Sequence, residues 1–367
     1  MASEMLYPVM PVYLKSIGFS LVLIGILEGF AEAIAGLSKG YFGNLSDTIG
    51  KRLPFVQIGY ALSAISKPMM AVFIYPVWIF FARTIDRLGK GIRTGARDAL
   101  LSDEATPETK GTVFGFHRSL DTIGAIIGPL LALIYLFYHP GNYKTLFLIA
   151  FLPGIIAIVF TILIKEKTKP LVDLQPKPRF LDFIHYWKAS PVMYRKLVLP
   201  LLIFTLFNSS DVFLLLKMKE TGFSDTLVIG VYIFYNLIYA IFSYPIGILA
   251  DKIGMKRIFI TGLFLFAITY SGMAFAQNKW VFFLLFFLYG IYAAATEGIA
   301  KAWITNISGK NKTATAIGTY TAFQSIANLI ASSLAGFIWY QYGSIYAFLL
   351  SGLAAAVVAL CIIKIKY

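Results

Sequence analysis

Cysteine, histidine and charge are all scarce in this chain, and each scarcity removes a class of function. The one cysteine, Cys361, excludes an internal disulfide and a thiolate metal cluster. The three histidines, His117, His139 and His185, are too scattered to form a histidine-rich metal site. Only 14% of the 367 residues are charged, and acids are outnumbered by bases, 18 to 32. No phosphate-binding loop is visible: Gly89-Lys90-Gly91 is too short and lies on a helix end, which argues against a nucleotide-driven pump. Outside 165–196 the connections are a few residues long, such as Ile74-Tyr75-Pro76 and Gln277-Asn278-Lys279, and leave no room for a domain that hosts soluble chemistry. No nucleophile, base and orienting group can be placed together, so neither an enzyme nor a resident cofactor is expected.

What the chain does have is apolar length. It is 58% hydrophobic, and a backbone in lipid is best satisfied by helices. Stretches long enough to cross about 30 Å of hydrocarbon run over 20–42, 54–73, 77–97, 112–138 and 145–164, then 197–217, 226–250, 258–277, 280–304, 313–339 and 345–363. A twelfth, opening span has only Met1 to Leu14 before Lys15, so helix 1 is expected to be truncated. The first residues show no basic n-region or cleavage pattern, and no signal peptide is expected.

The chain also repeats itself. Gly43, Asp47 and Gly50 return as Gly247, Asp251 and Gly254 at an offset of 204, which also pairs Lys15, Gly18, Phe19 and Ser20 with Lys219, Gly222, Phe223 and Ser224. At an offset of 203, Gly95 meets Gly298 and Gly115 meets Gly318. Two copies of one membrane unit are therefore expected: a six-helix bundle over 1–164, a polar linker over 165–196 and a second bundle over 197–367. In the linker, Phe180, Phe183, Ile184 and Trp187 recur at helical spacing, consistent with a helix in the membrane interface.

The basic excess is topological and does not point to nucleic acid. Lys51, Arg52, Lys110, the linker bases, Lys252, Lys256, Arg257, Lys310, Lys312, Lys364 and Lys366 share one side, which the positive-inside rule makes cytoplasmic. The expected location is the cytoplasmic (inner) membrane, multi-pass, with the linker and C-terminus inside and the chain a monomer.

The phrase Gly43-x-Leu-Ser-Asp47-x-x-Gly50-Lys51-Arg52 resembles the loop 2-3 signature of the major facilitator superfamily, and Gly247 to Arg257, with Asp251, Gly254 and Lys256, is where that family repeats it. Arg83 matches the family's helix 4 arginine, and Gly124-x-x-x-Gly128-Pro129 resembles its helix 5 antiporter motif. Arg87 and Leu130-Leu131 depart from the drug:proton antiporter pattern. The denser phrase Arg83-x-x-Asp86-Arg87-x-Gly89-Lys90-Gly91-x-Arg93 looks like a prokaryotic subgroup. The resemblance implies an all-α polytopic fold of two six-helix bundles related by a pseudo-twofold along the membrane normal. It also implies a secondary transporter working by alternating access. Asp47 sits at a helix C-terminus, where its charge opposes the dipole at roughly 0.3–1 kcal/mol. The implied partners are Arg93 or Arg97 and the start of helix 11 near Thr313, and Gly43 lets the helices approach.

Seven acids lie within spans where they must face water or a partner. Asp86 with Arg83 and Arg87, and Asp121 with Arg118, read as internal pairs. Glu4, Glu28 and Glu32 have no cation within a helical turn and are the proton-coupling candidates. Arg87 and Arg118 are candidate holders of an anion; Asn208, Asp211 and Glu297 of a cationic group or a metal. The reading reached is proton-coupled efflux of a small solute. The alternatives are uptake or facilitated diffusion of an organic anion, export of a divalent metal, and a non-transporting sensor or lipid-handling protein.

Overall fold

The repeated Lys-x-x-Gly-Phe-Ser phrase is helix punctuation. In the computed structural model, Gly18 and Gly222 adopt φ of 92° and 88°, a left-handed conformation that glycine enters without strain. The next residues, Phe19 and Phe223, close the preceding helix through N–H bonds to Leu14 and Met218. Ser20 and Ser224 then cap the following helix, accepting from the amides of Leu23 and Leu227. The structure describes residues 2–6, 9–166, 179–309 and 311–365, leaving aside the side chains of 11, 21, 22, 24–26, 28, 29, 225 and 226.

Among the described residues there are helices and no strand. They are α1 (Ala2–Leu6), α2 (Met10–Ser16), α3 (Leu21–Ile49), α4 (Leu53–Val72), α5 (Pro76–Asp103), α6 (Lys110–Tyr138), α7 (Tyr143–Leu163) and α8 (Asp182–Ala189). Then follow α9 (Val192–Thr205), α10 (Val212–Glu220), α11 (Asp225–Ile253), α12 (Met255–Phe275), α13 (Lys279–Ile307), α14 (Thr313–Tyr342) and α15 (Ser344–Lys364). Seven of them, α6, α7 and α11 to α15, are long and apolar enough by length and composition to cross a membrane.

The chain divides into two compact units. The first comprises Met1–Leu100, Gly124–Ala189 and Gly309–Ala322; the second comprises Leu101–Ile123, Ser190–Ser308 and Phe323–Tyr367. In the first, α4 packs along α7 and α1 against α7, with Leu6, Leu14, Met70, Ile79, Leu146 and Phe147 in the core. In the second, α12 packs along α13 and α15, and α11 along α13. Its centre is aromatic: Phe266, Tyr270, Phe282, Phe286 and Phe348 are buried there.

One span differs from the sequence reading. The 197–217 stretch is not continuous: α9 ends at Thr205 and α10 begins at Val212. Asn208, Ser209, Ser210 and Asp211 lie between them, and such side chains compete with the helix for its own backbone groups. The freed groups find partners, the Ser210 amide at Ser332 Oγ and the Ser209 carbonyl at the Tyr270 hydroxyl. The opening segment forms two short helices, α1 and α2. Part of the expected linker, 167–178, lies outside the described residues. Within it, α8 turns Phe183 and Tyr186 inward, with the Phe183 ring against Gly40 of α3.

Candidate functional site

Both copies of the repeated loop phrase end a helix on a left-handed glycine, Gly50 (φ 72°) and Gly254 (φ 100°), and both aim an aspartate at the start of another helix. In the first unit, Asp47 Oδ2 accepts from the Thr315 amide at 2.7 Å and its hydroxyl at 2.9 Å. In the second, Asp251 accepts from the amides of Gly111 and Thr112, each at 2.7 Å, and from the Thr112 hydroxyl at 2.6 Å. A carboxylate thus neutralises orphan amides and the positive dipole end of α14 or α6, which offsets its own unfavourable position at a helix C-terminus.

The repeated glycines make these crossings close. A Cβ on Gly43 would lie 2.5 Å from the Ala314 carbonyl oxygen, and one on Gly115 would lie 2.5 Å from that of Ser243. Gly95 abuts Gly43, and Gly298 approaches Phe114.

The cation that meets Asp47 is Arg52, at 3.0 Å, and not Arg93 or Arg97. Arg52 also donates to the Ala99 carbonyl, while Glu166 accepts from the amides of Arg52 and Leu53 at the start of α4. Arg93 donates to Ser63 and lies over the Tyr60 ring, and Arg97 pairs with Asp98. Lys51 is exposed. In the second copy, Lys256 donates to the carbonyls of Ile363 and Ile365 at the end of α15, a favourable place for a cation. Arg257 follows it in the first turn of α12.

The first unit holds a buried charge cluster. Lys67 Nζ, wholly buried on α4, donates to Asp86 Oδ1 at 2.5 Å and to Ser3 Oγ at 3.0 Å. Arg83 reaches Asp86 Oδ2 at 3.4 Å. Arg87 does not take Asp86 as a close partner; it pairs with Glu32 at 3.7 Å, so that acid has a cation from another helix. Glu4 is half-buried on α1, and the Glu28 side chain lies outside the described residues. Lys67 is not among the residues the sequence singles out by motif, although it is a lone cation in the middle of an apolar span. Gly124, Gly128 and Pro129 fall within α6, and Pro129 does not interrupt it.

The second unit holds a different cluster. Arg118 on α6 meets Asp121 at 3.2 Å, and it also contacts Glu297 of α13 and the Tyr239 hydroxyl of α11. Asp211, in the break of the α9–α10 span, accepts from the Tyr289 hydroxyl at 2.6 Å and faces Tyr235. Asn208 Nδ2 donates to the Tyr292 hydroxyl at 3.0 Å, and its buried Oδ1 has no hydrogen-bond partner among the described residues. The rings of Tyr235, Tyr289 and Tyr292 stand 5.0 to 5.2 Å apart in sequence, edged by Tyr270 and Phe266. Asp211 has no cation within 4.0 Å among the described residues. The helical spacings Tyr235-x-x-x-Tyr239 and Tyr289-x-x-Tyr292 were the available signal for this cage.

Comparison with known proteins agrees with this architecture. A family model described as Major Facilitator Superfamily matches residues 1–235 and again 212–366. The chain is 34% identical over 366 residues to an uncharacterized MFS-type transporter of Methanocaldococcus jannaschii, covering 96% of this chain and 90% of that one. It is 23% identical over 330 residues to the multi-drug resistance efflux pump PmrA of Streptococcus pneumoniae, covering 84% and 78%. The crystal structure of the human organic anion transporter MFSD10 superposes with a TM-score of 0.79 at 16% identity, over 98% of this chain and 95% of that one. The chain therefore belongs to the Major Facilitator Superfamily and is a multi-pass transporter of that family.

Proposed function

We propose that the protein exports a small organic cation in exchange for protons, by alternating access, across a membrane whose cytoplasmic side carries the Lys51–Arg52 and Lys256–Arg257 ends. The observation that carries this reading is Asp211. It is an anionic group at a helix break, held by a phenol, ringed by aromatic faces and without a cation partner among the described residues. A carboxylate among aromatic rings suits an organic cation, which gains both ion pairing and cation–π attraction. A helix break is also where many secondary transporters assemble substrate sites.

The same carboxylate supplies a coupling mechanism. A proton and a cation compete for one charge, so loading either expels the other, and exchange needs no separate relay. We place the exchange on Asp211, with Glu297 nearby, rather than on Glu4, Glu28 and Glu32, because Glu32 faces Arg87. The relative named as a multi-drug efflux pump supports the export direction. The anion reading loses Arg118, which two carboxylates already neutralise. The metal reading finds no group of three His, Cys, Asp or Glu ligands among the described residues. Opening and re-forming of the Asp47 and Asp251 contacts would accompany the cycle.

The test is flux of tetraphenylphosphonium from proteoliposomes under an imposed pH gradient. Wild type should drive it, Asp211→Asn should not, and binding of the cation to wild type should weaken as pH falls. Undiminished gradient-driven flux in Asp211→Asn would refute the assignment.

A further inference from the structure

The first unit carries more positive charge in its membrane-spanning helices than its acids balance. Arg83, Arg87 and Lys90 follow one another at four- and three-residue steps along one face of α5, so they form a ladder about 10 Å long. Asp86 is shared by Lys67 and Arg83. Glu32 is the partner of Arg87, at a separation longer than a hydrogen bond. Lys90 is different. Its ammonium has no ion pair within 4.0 Å and no hydrogen bond among the described residues, although the fields of Glu32 and Glu4 reach it together with those of Arg87 and Arg93. It is only partly buried, and the Glu32 side chain beside the ladder is 49% exposed, so the place is accessible to a ligand.

A cation held within a membrane-spanning bundle is costly unless an anion joins it. Among the described residues no carboxylate lies within 4.0 Å of the Lys90 ammonium. We propose that Lys90, with Arg87 one turn away, forms an anion-binding site in the first unit, taking a carboxylate or phosphate group. Lys90 acts as the point charge, and Arg87, which also faces Glu32, adds its planar guanidinium. This site shares no residue with the Asp211 cage.

The test uses the full chain in nanodiscs of phosphatidylcholine, with the thermal unfolding midpoint read against added succinate, inorganic phosphate or chloride. Succinate or phosphate should raise the midpoint saturably, well beyond chloride. Lys90→Gln should weaken the apparent affinity by about tenfold or more, Lys90→Arg should restore it, and Lys15→Gln, at an exposed lysine, should leave it unchanged. Without added anion, Lys90→Gln should unfold at or above the wild-type midpoint, because it removes an uncompensated cation. Asp211→Asn should keep the anion response, which separates this test from that of the cation site. Stabilisation only in nanodiscs containing phosphatidylglycerol, lost in Lys90→Gln, supports the site with a lipid headgroup as the source. The proposal is overturned by an equal response to chloride, by an unaltered response in Lys90→Gln, or by a lowered midpoint of that variant without anion. The absence of any anion response in wild type overturns it as well.

Discussion

Asp251→Asn isolates the contact that ties the start of α6 to the end of α11. The wild-type carboxylate accepts three bonds, from two amides at 2.7 Å and a hydroxyl at 2.6 Å. Asparagine keeps one oxygen and turns an NH2 group toward the remaining donors, so at least one charge-assisted bond is lost, worth about 1.5–3 kcal/mol. The lost charge at a helix N-terminus adds roughly 0.3–1 kcal/mol. Because Asp251 is partly exposed, the low end applies, and about 2 kcal/mol corresponds to a roughly 30-fold larger opening equilibrium. Hydrogen–deuterium exchange reads this directly: the amides of Gly111 and Thr112 should exchange faster by about that factor. The segment should not detach fully, since Lys110 still donates to the Thr305 carbonyl and Asn306 to that of Pro107. Exchange at Gly111 and Thr112 indistinguishable from wild type would show that the carboxylate does not hold the helix start. Asp47→Asn should have a smaller effect at Thr315, because Asp47 holds one amide and one hydroxyl there and gives its other oxygen to Arg52.

Gly43→Ala should lower the unfolding midpoint by the equivalent of about 1–3 kcal/mol through overpacking, since its Cβ would sit 2.5 Å from the Ala314 carbonyl oxygen. Gly230→Ala, with nothing within 4 Å of its Cβ, should instead gain roughly 0.5–1 kcal/mol in the same melt. Lys67→Met should cost about 3–5 kcal/mol in chemical denaturation, near the low end because Arg83 remains at 3.4 Å from Asp86. On α8, burial first and the Asp47 field second push the Tyr186 phenol from its usual 10.0 up to about 12. The folded state thus favours the neutral phenol. Its contribution is complete below pH 10.0 and is lost as pH rises through about 12, so Tyr186→Phe should flatten the alkaline loss of stability in that window. Tyrosinate absorbance during alkaline titration should lose one late-titrating group in the variant.

Apolar run length and residue spacing were enough to read most of the helices and the repeated phrases from sequence, because each is written in consecutive residues. Gly18, Phe19 and Ser20 and their counterparts at 222–224 close one helix and start the next wherever they occur. Asp47 and Asp251 were identifiable for the same reason, since an acid at a helix C-terminus needs a partner whatever the rest of the chain does. The break at 206–211 was also written locally, in four consecutive polar residues, but averaging over an apolar window hid it.

Which charge meets which was decided only by the tertiary structure. Arg118 and Glu297 are 179 positions apart, and Lys67 and Asp86 sit on different helices. Such pairs depend on how each helix is rotated about its axis, and helix spacing in sequence carries no record of that rotation. The same-helix rule therefore left Glu32 without a cation, and the family resemblance gave Asp47 Arg93 or Arg97, while the structure supplied Arg87 and Arg52. It also drew Tyr235, Tyr289 and Tyr292 around Asp211, a convergence of α11, α13 and the α9–α10 break that no single segment encodes.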